Sequence, residues 1–92
     1  MMLYLVCFDI SDNKTRNRVG KYLGAFGNRV QESVFEVEFA DANALSYVQN
    51  KLADWLAEGD DLRFYCLCRN CRLKSSTARQ ERIAKLPSLV II

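Results

Sequence analysis

The chain contains no histidine, and that absence closes several routes to catalysis. Most nucleophile–His triads and the paired-His helix of zinc hydrolases depend on imidazole, so neither is open to it. Long hydrophobic runs are missing too: none approaches the roughly 18 residues that a membrane span needs. The N-terminus lacks the basic region and small-residue cleavage site of a secretory leader. A soluble, cytoplasmic protein without membrane contact is the expectation. For hydrolysis, what remains is a hard divalent cation, Mg²⁺ or Mn²⁺, held by carboxylates and set to activate water against a phosphodiester.

Ninety-two residues, half of them hydrophobic and about a quarter charged, suffice for one domain with a small core. Burial on that scale leaves stability modest, so support from a partner chain is expected. Four cysteines are present, and in a reducing compartment they are expected as free thiols. Cys66-x-Cys68-x-x-Cys71, with Cys7 on a neighbouring strand, has the look of part of a zinc site. A closed zinc site usually pairs two short cysteine or histidine knuckles, however, and this chain has one.

Charge is strongly segregated. Residues 10–29 carry five basic side chains against one acidic, residues 30–62 one against eight, and residues 63–92 seven against one. Basic segments flanking an acidic middle suit a protein that grips a polyanion along one edge, although solvated surface charge would read similarly.

The organising stretch lies at the start. Residues 2–8, Met-Leu-Tyr-Leu-Val-Cys-Phe, form an apolar run without alternation, the pattern of a strand covered on both faces. It ends on Asp9. A carboxylate at such a tip is costly unless it is paired, hydrogen-bonded or bound to a cation. Ser11 and Asp12 are better placed to cap the helix that follows, which leaves Asp9 as the candidate for metal binding and catalysis.

Over residues 12–26, Val19, Tyr22, Leu23 and Phe26 recur with helical spacing, and Gly27 supplies the stop. Lys14 and Arg16 occupy the first turn, where positive charge opposes the helix dipole. Stability does not favour them there, whereas a phosphate site would. Residues 28–39 read as β-structure with Phe35, Val37 and Phe39 on one face and Glu36 and Glu38 on the other. A parity slip between Val30 and Phe35 means either a bulge or two strands turning near Glu32 and Ser33, and two strands are expected. Asp41 or Asn43 caps a second helix through Leu45, Val48, Leu52, Trp55 and Leu56, closed by Gly59. Residues 62–68 form another strand. Residues 69–74 read as a basic connector, Ser75 to Thr77 as the cap of a short helix ended by Pro87, and residues 88–92 as an additional C-terminal strand.

Strand, helix, two strands, helix, strand is the order of a ferredoxin-like α+β sandwich, a single domain over residues 1–92. The first and fourth strands are expected side by side at the sheet centre, with both helices on one face. A bare apolar second face, together with the tail strand, predicts a homodimer in which the tail packs on the partner.

The segment Phe8-Asp9-Ile10-Ser11-Asp12-Asn13-Lys14 with its following helix, and then Gly27-Asn28-Arg29-Val30-Gln31-Glu32-Ser33-Val34-Phe35-Glu36, resembles the small CRISPR-associated adaptation proteins, the Cas-two family. The likeness spans about residues 2–68, and its most specific part is Arg-Val-Gln-x-Ser-Val-Phe-Glu. Cys68-Arg69-Asn70-Cys71 and the hydrophobic tail are also similar to family members. The resemblance implies a ferredoxin-like homodimer that acts with the CRISPR integrase in spacer acquisition. It further implies a metal-dependent endonuclease cutting RNA or DNA, with Asp9 as metal ligand and Mg²⁺ or Mn²⁺ as cofactor. Arg16, Arg18 and Arg29, with Lys14, would contact nucleic acid, and Ser11 and Phe35 would support the site. Phe8 stands where the family commonly has tyrosine, so any role for that hydroxyl is absent. Two other functions fit the same residues: a non-catalytic DNA-binding subunit of the integration complex, and an RNA-cleaving toxin of similar fold.

Overall fold

A computed structural model describes residues 2–84. The expected tail strand 88–92 lies outside the described residues. The elements run β1 (Met2–Asp9), α1 (Asn13–Phe26), β2 (Asn28–Gln31), β3 (Val34–Phe39), α2 (Ala42–Ala53), β4 (Asp61–Leu67) and α3 (Arg69–Lys74). Together β1 to β4 make one antiparallel sheet in the order β2-β3-β1-β4. The ferredoxin-like arrangement is thus present, with one correction. β1 and β4 are neighbours as expected, but β4 is an edge strand and β3 shares the centre with β1. The burial pattern follows from this order: β1 and β3 have a neighbour on each side, whereas alternate residues of β4 stay exposed.

Side-chain alternation assigns the two sheet faces. Val6 and Phe8 of β1 join Phe35, Val37 and Phe39 of β3 against Val19 and Leu23 of α1 and Val48 and Leu52 of α2. Each such side chain contributes about 1.5–3 kcal/mol on leaving water, so these nine hold most of the apolar stabilisation. Tyr22 of α1 meets Trp55 edge-on at 5.5 Å between ring centroids, joining the α1 layer to the end of α2.

Capping sets the helix boundaries. Asp12 accepts the Thr15 amide at 2.8 Å and the Thr15 hydroxyl at 2.9 Å, and Asp41, rather than Asn43, accepts the Ala44 amide at 2.8 Å. The Gly27 amide donates to the Leu23 carbonyl at 2.8 Å and ends α1. α2 stops at Ala53, earlier than Gly59, and Trp55 and Leu56 pack on the core from the turns that follow.

The parity slip in residues 28–39 has a definite cause. Arg29 pairs with Phe35 but Gln31 pairs with Val34, so Val30 is an extra residue that bulges from the ladder. Both the bulge and the two-strand reading are therefore realised. No glycine or proline makes the turn. Instead the Arg29 side chain donates to the Glu32 carbonyl through Nε at 3.2 Å and Nη2 at 2.9 Å, while the Phe8 amide donates to the Ser33 carbonyl at 3.1 Å.

Two further expectations are corrected. Residues 69–74 are helical rather than a connector, because Cys68 supplies an N-cap. Residues 75–84 contain no helix; a Thr77–Glu81 hydrogen bond and a Ser76–Arg82 bridge fold them back on themselves. Glu38 lies on the face opposite Phe35, Val37 and Phe39 as expected, yet it is 0% exposed, and neither carboxylate oxygen has a hydrogen-bond partner among the described residues. β3 is central, and Glu38 lies opposite Leu3 on the face away from the helices. Among the described residues, no helix is long and apolar enough to cross a membrane.

Candidate active site

β1 delivers Asp9 to the rim of the sheet. Alternation from Leu3 through Leu5 and Cys7 puts the Asp9 side chain on the face away from the helices, where it is exposed. Directly across the β1–β4 ladder stands Asp61. Opposed like charges in a cross-strand pair are destabilising, so the arrangement is not explained by strand stability. Arg63 moderates it: its Nε donates to the Asp61 carboxylate at 2.9 Å and its Nη1 to the Tyr65 hydroxyl at 3.3 Å. These groups, with Cys7 and Phe8, line a shallow cavity of about 280 Å³. Asp61 was not singled out from the sequence. The signal available was the Asp60-Asp61 doublet at the start of an apolar strand.

The segment carrying Asp9 into α1 is fastened at three points. Ile10 is 2% exposed and plugs into the core. Its carbonyl accepts Arg16 Nη1 at 3.0 Å, and Arg16 Nη2 also contacts the Asn13 side chain. Next, the Ser11 amide donates to Asp60 Oδ1 at 3.3 Å, while Asp60 Oδ2 accepts the Ala57 amide at 2.9 Å. Asp60 thereby ties the β1–α1 turn to the turn before β4. Finally, Asp12 caps α1. The Thr15 amide, then the Thr15 hydroxyl, and the nearby charges of Lys14 and Arg16 hold the Asp12 carboxyl below its ordinary range.

The basic residues divide by what they already do. Lys14 lies exposed in the first turn of α1. Arg16 supports the Ile10 carbonyl. Arg18 stacks its guanidinium 3.8 Å from the centre of the Trp55 ring, and Arg29 lies 5.0 Å over Phe35 while closing the β2–β3 turn. Phe35 is fully buried in the core and stacked beside Phe8, so it does not face a ligand. Of the residues picked out by sequence, Asp9, Ser11, Lys14 and Arg16 gather at one end of the sheet. Arg29 and Phe35 build the β2–β3 hairpin beside α1.

The carboxylate oxygens of Asp9 and Asp61 suit a hard cation such as Mg²⁺ or Mn²⁺, with the Cys7 thiol also lining the cavity. Among the described residues, no cluster of three or more Cys, Asp or Glu side chains is placed to hold a metal ion. A single copy therefore falls short of a complete protein ligand set. Cys66, Cys68 and Cys71 do not converge as such a cluster among the described residues.

Fold and site define a ferredoxin-like α+β domain with a carboxylate at the tip of its central strand, opposite Asp61 and beside a basic helix start. The chain belongs to the family described as CRISPR associated protein Cas2, whose model matches residues 2–75. It is 41% identical over 73 residues to the CRISPR-associated endoribonuclease Cas2 1 of Chloroflexus aurantiacus, covering 77% of each chain. To the CRISPR-associated endoribonuclease Cas2 3 of Synechocystis it is 31% identical over the full length of both. Among solved structures, a chain of a partial Cas6-RT-Cas1-Cas2 complex superposes with a TM-score of 0.86 at 33% identity, covering 94% of this chain and 100% of that one. Streptococcus pyogenes Cas2 at pH 6.5 follows with a TM-score of 0.72 at 29% identity, covering 83% and 98%.

Proposed function

We propose that this protein is an endonuclease of CRISPR adaptation, hydrolysing phosphodiester bonds in RNA or DNA and working beside a Cas1-type integrase. The observation that carries this reading is Asp9. It is an exposed carboxylate at the end of the central strand, fixed by β-sheet register and by Arg16 and Asp60, and aimed at the face that lacks helices. In the proposed homodimer, two copies join through that face and bring their Asp9 side chains together. A bound Mg²⁺ or Mn²⁺ ion would polarise a phosphate oxygen and lower the pKa of water there. Asp9 is the ligand this chain contributes, and Asp61 stands next to it as a second oxygen donor. Lys14 and the unspent N–H groups of Arg16 receive the phosphates flanking the scissile bond. The Arg63–Asp61 ion pair is exposed, so Arg63 would be free to turn to a phosphate and leave the Asp61 carboxylate available as a ligand.

The test compares wild type with Asp9→Asn on labelled RNA and duplex DNA, with and without Mg²⁺, by gel assay. Asp9→Asn keeps the side-chain shape and removes the charge, so cleavage should vanish while circular dichroism and nucleic-acid affinity persist. Equal cleavage by the variant, or none by wild type with any divalent metal, replaces this reading with a second one. In that second reading the protein is a non-catalytic DNA-binding subunit of the integration complex.

A further inference from the structure

The cysteines of the β4–α3 junction take no part in the site described above. Cys66, Cys68 and Cys71 are all exposed, and all are free thiols. Cys66 points to the helix side of β4, opposite Tyr4. Cys68 and Cys71 face each other instead. Cys68 is the N-cap of α3, and the Cys71 amide donates to its sulfur at 3.4 Å.

From this pairing we infer that Cys68 and Cys71 form a reversible dithiol–disulfide site that reacts with low-molecular-weight disulfides such as oxidised glutathione. Residues three apart on a helical turn have Cβ atoms about 5–6 Å apart, and a disulfide needs about 3.5–4.5 Å. The turn must tighten by an ångström or two. α3 can do so, because it is six residues long and none of them is buried. Nothing in the core has to move.

The two thiols are unlike. Hydrogen bonds from the Cys71 amide and the Cys71 thiol, with Arg72 nearby, pull the Cys68 thiol below its ordinary range. The same thiol–thiol contact pushes Cys71 up. Cys68 is therefore the attacking thiolate and Cys71 the resolving thiol. In the first step Cys68 gives up its proton and the thiolate attacks one sulfur of oxidised glutathione, whose S–S bond breaks; a mixed disulfide forms, and one glutathione thiolate leaves and takes up the proton that Cys68 released. Cys71 then loses its proton and attacks the Cys68 sulfur, expelling the second glutathione. Two protein thiols are oxidised and one small disulfide is reduced to two thiols, with no net proton change.

The full chain, in its native oligomeric state, is incubated with oxidised glutathione at neutral pH, quenched in acid, alkylated and analysed by peptide mass. Wild type should form an intramolecular Cys68–Cys71 disulfide, and dithiothreitol should restore both alkylation sites. Cys71→Ser should stop at a stable glutathione adduct on Cys68. In Cys68→Ser, glutathionylation of Cys71 should be slower than that of Cys68 in Cys71→Ser, because Cys71 lacks the backbone amide donor that favours the Cys68 thiolate. Both replacements are near-isosteric and exposed, and the wild-type result stands without them. Full alkylation of both cysteines after oxidised glutathione overturns the proposal. So does an equal rate of adduct formation in the two variants, or stoichiometric Zn²⁺ binding that needs both cysteines and blocks their oxidation.

Discussion

Replacing Gly27 and Gly24 separately by alanine should move stability in opposite directions, although the chemistry added is the same methyl group. Gly27 joins α1 to β2 with extended backbone, φ −135° and ψ −175°, which any residue adopts, so no dihedral strain enters. The obstacle is steric. A Cβ there would lie 2.5 Å from the Glu36 carbonyl oxygen and 2.8 Å from Val37 Cγ2. Glu36 and Val37 belong to β3, which is paired on both sides, so that carbonyl cannot retreat without disturbing the sheet centre. The end of α1 must lift, loosening Leu23 and the stack above Phe35. Overpacking of this kind costs about 1–3 kcal/mol. At Gly24 the new Cβ would meet Phe35 Cε2 at 3.7 Å, an ordinary contact. There the gain in helix propensity, about 1 kcal/mol, remains unopposed. With a urea m-value of about 2 kcal/mol/M, the midpoint should fall by roughly 1 M for Gly27→Ala and rise by about 0.5 M for Gly24→Ala. Fluorescence of Trp55 at one fixed protein concentration reports both, since dimer dissociation makes midpoints concentration-dependent. If Gly27→Ala unfolds at or above the wild-type midpoint, the close approach of α1 to β3 is wrong.

Burial raises the Glu36 carboxyl above its ordinary range, so its contribution favours the folded state most in acid and declines as pH rises through that raised value. Glu36→Gln should therefore match wild type below the ordinary carboxylate range and be the more stable protein above it; a difference independent of pH refutes this. Asp12 runs the other way. Its depressed carboxyl stabilises α1 above the ordinary range, and that stabilisation is lost as pH falls through the lowered value, so Asp12→Ala should show a helix defect at neutral pH that shrinks in acid. In nucleic-acid binding, Lys14→Ala should reduce the salt slope by about 1 without lowering the melting temperature. Arg18→Ala should also weaken the Trp55 stack, at a cost of about 0.5–1 kcal/mol. Equal melting temperatures for Arg18→Ala and Lys14→Ala would mean that the Arg18–Trp55 contact has no energetic weight. Asp60→Ala should lower the cleavage rate with little change in binding, since it frees the Ser11 turn; a loss confined to binding would contradict that placement.

Much of the fold is written locally. The apolar run 2–8, the capping carboxylates Asp12 and Asp41, and the helical spacing of Val19, Tyr22 and Leu23 act through near neighbours, so periodicity and side-chain type suffice to determine them. Asp9 is legible for the same reason, being an ionised group where a buried strand ends. What escaped belongs to contacts between distant segments. The sheet order places β3, not β4, at the centre, and on the face away from the helices Glu38 is fully buried, which a two-residue repeat does not reveal. The hairpin without glycine depends on Arg29 reaching the Glu32 carbonyl, and the bulge at Val30 on the partner register. Asp61 meets Asp9 only because β4 runs antiparallel to β1 in that register, across 52 residues of chain. Arg16, Arg18 and Arg29 carry the same charge in sequence, but tertiary packing decides which guanidinium supports a carbonyl, which stacks on tryptophan and which closes a turn. Sequence distributes the charge; only the folded surface determines how much of it is left for a phosphate.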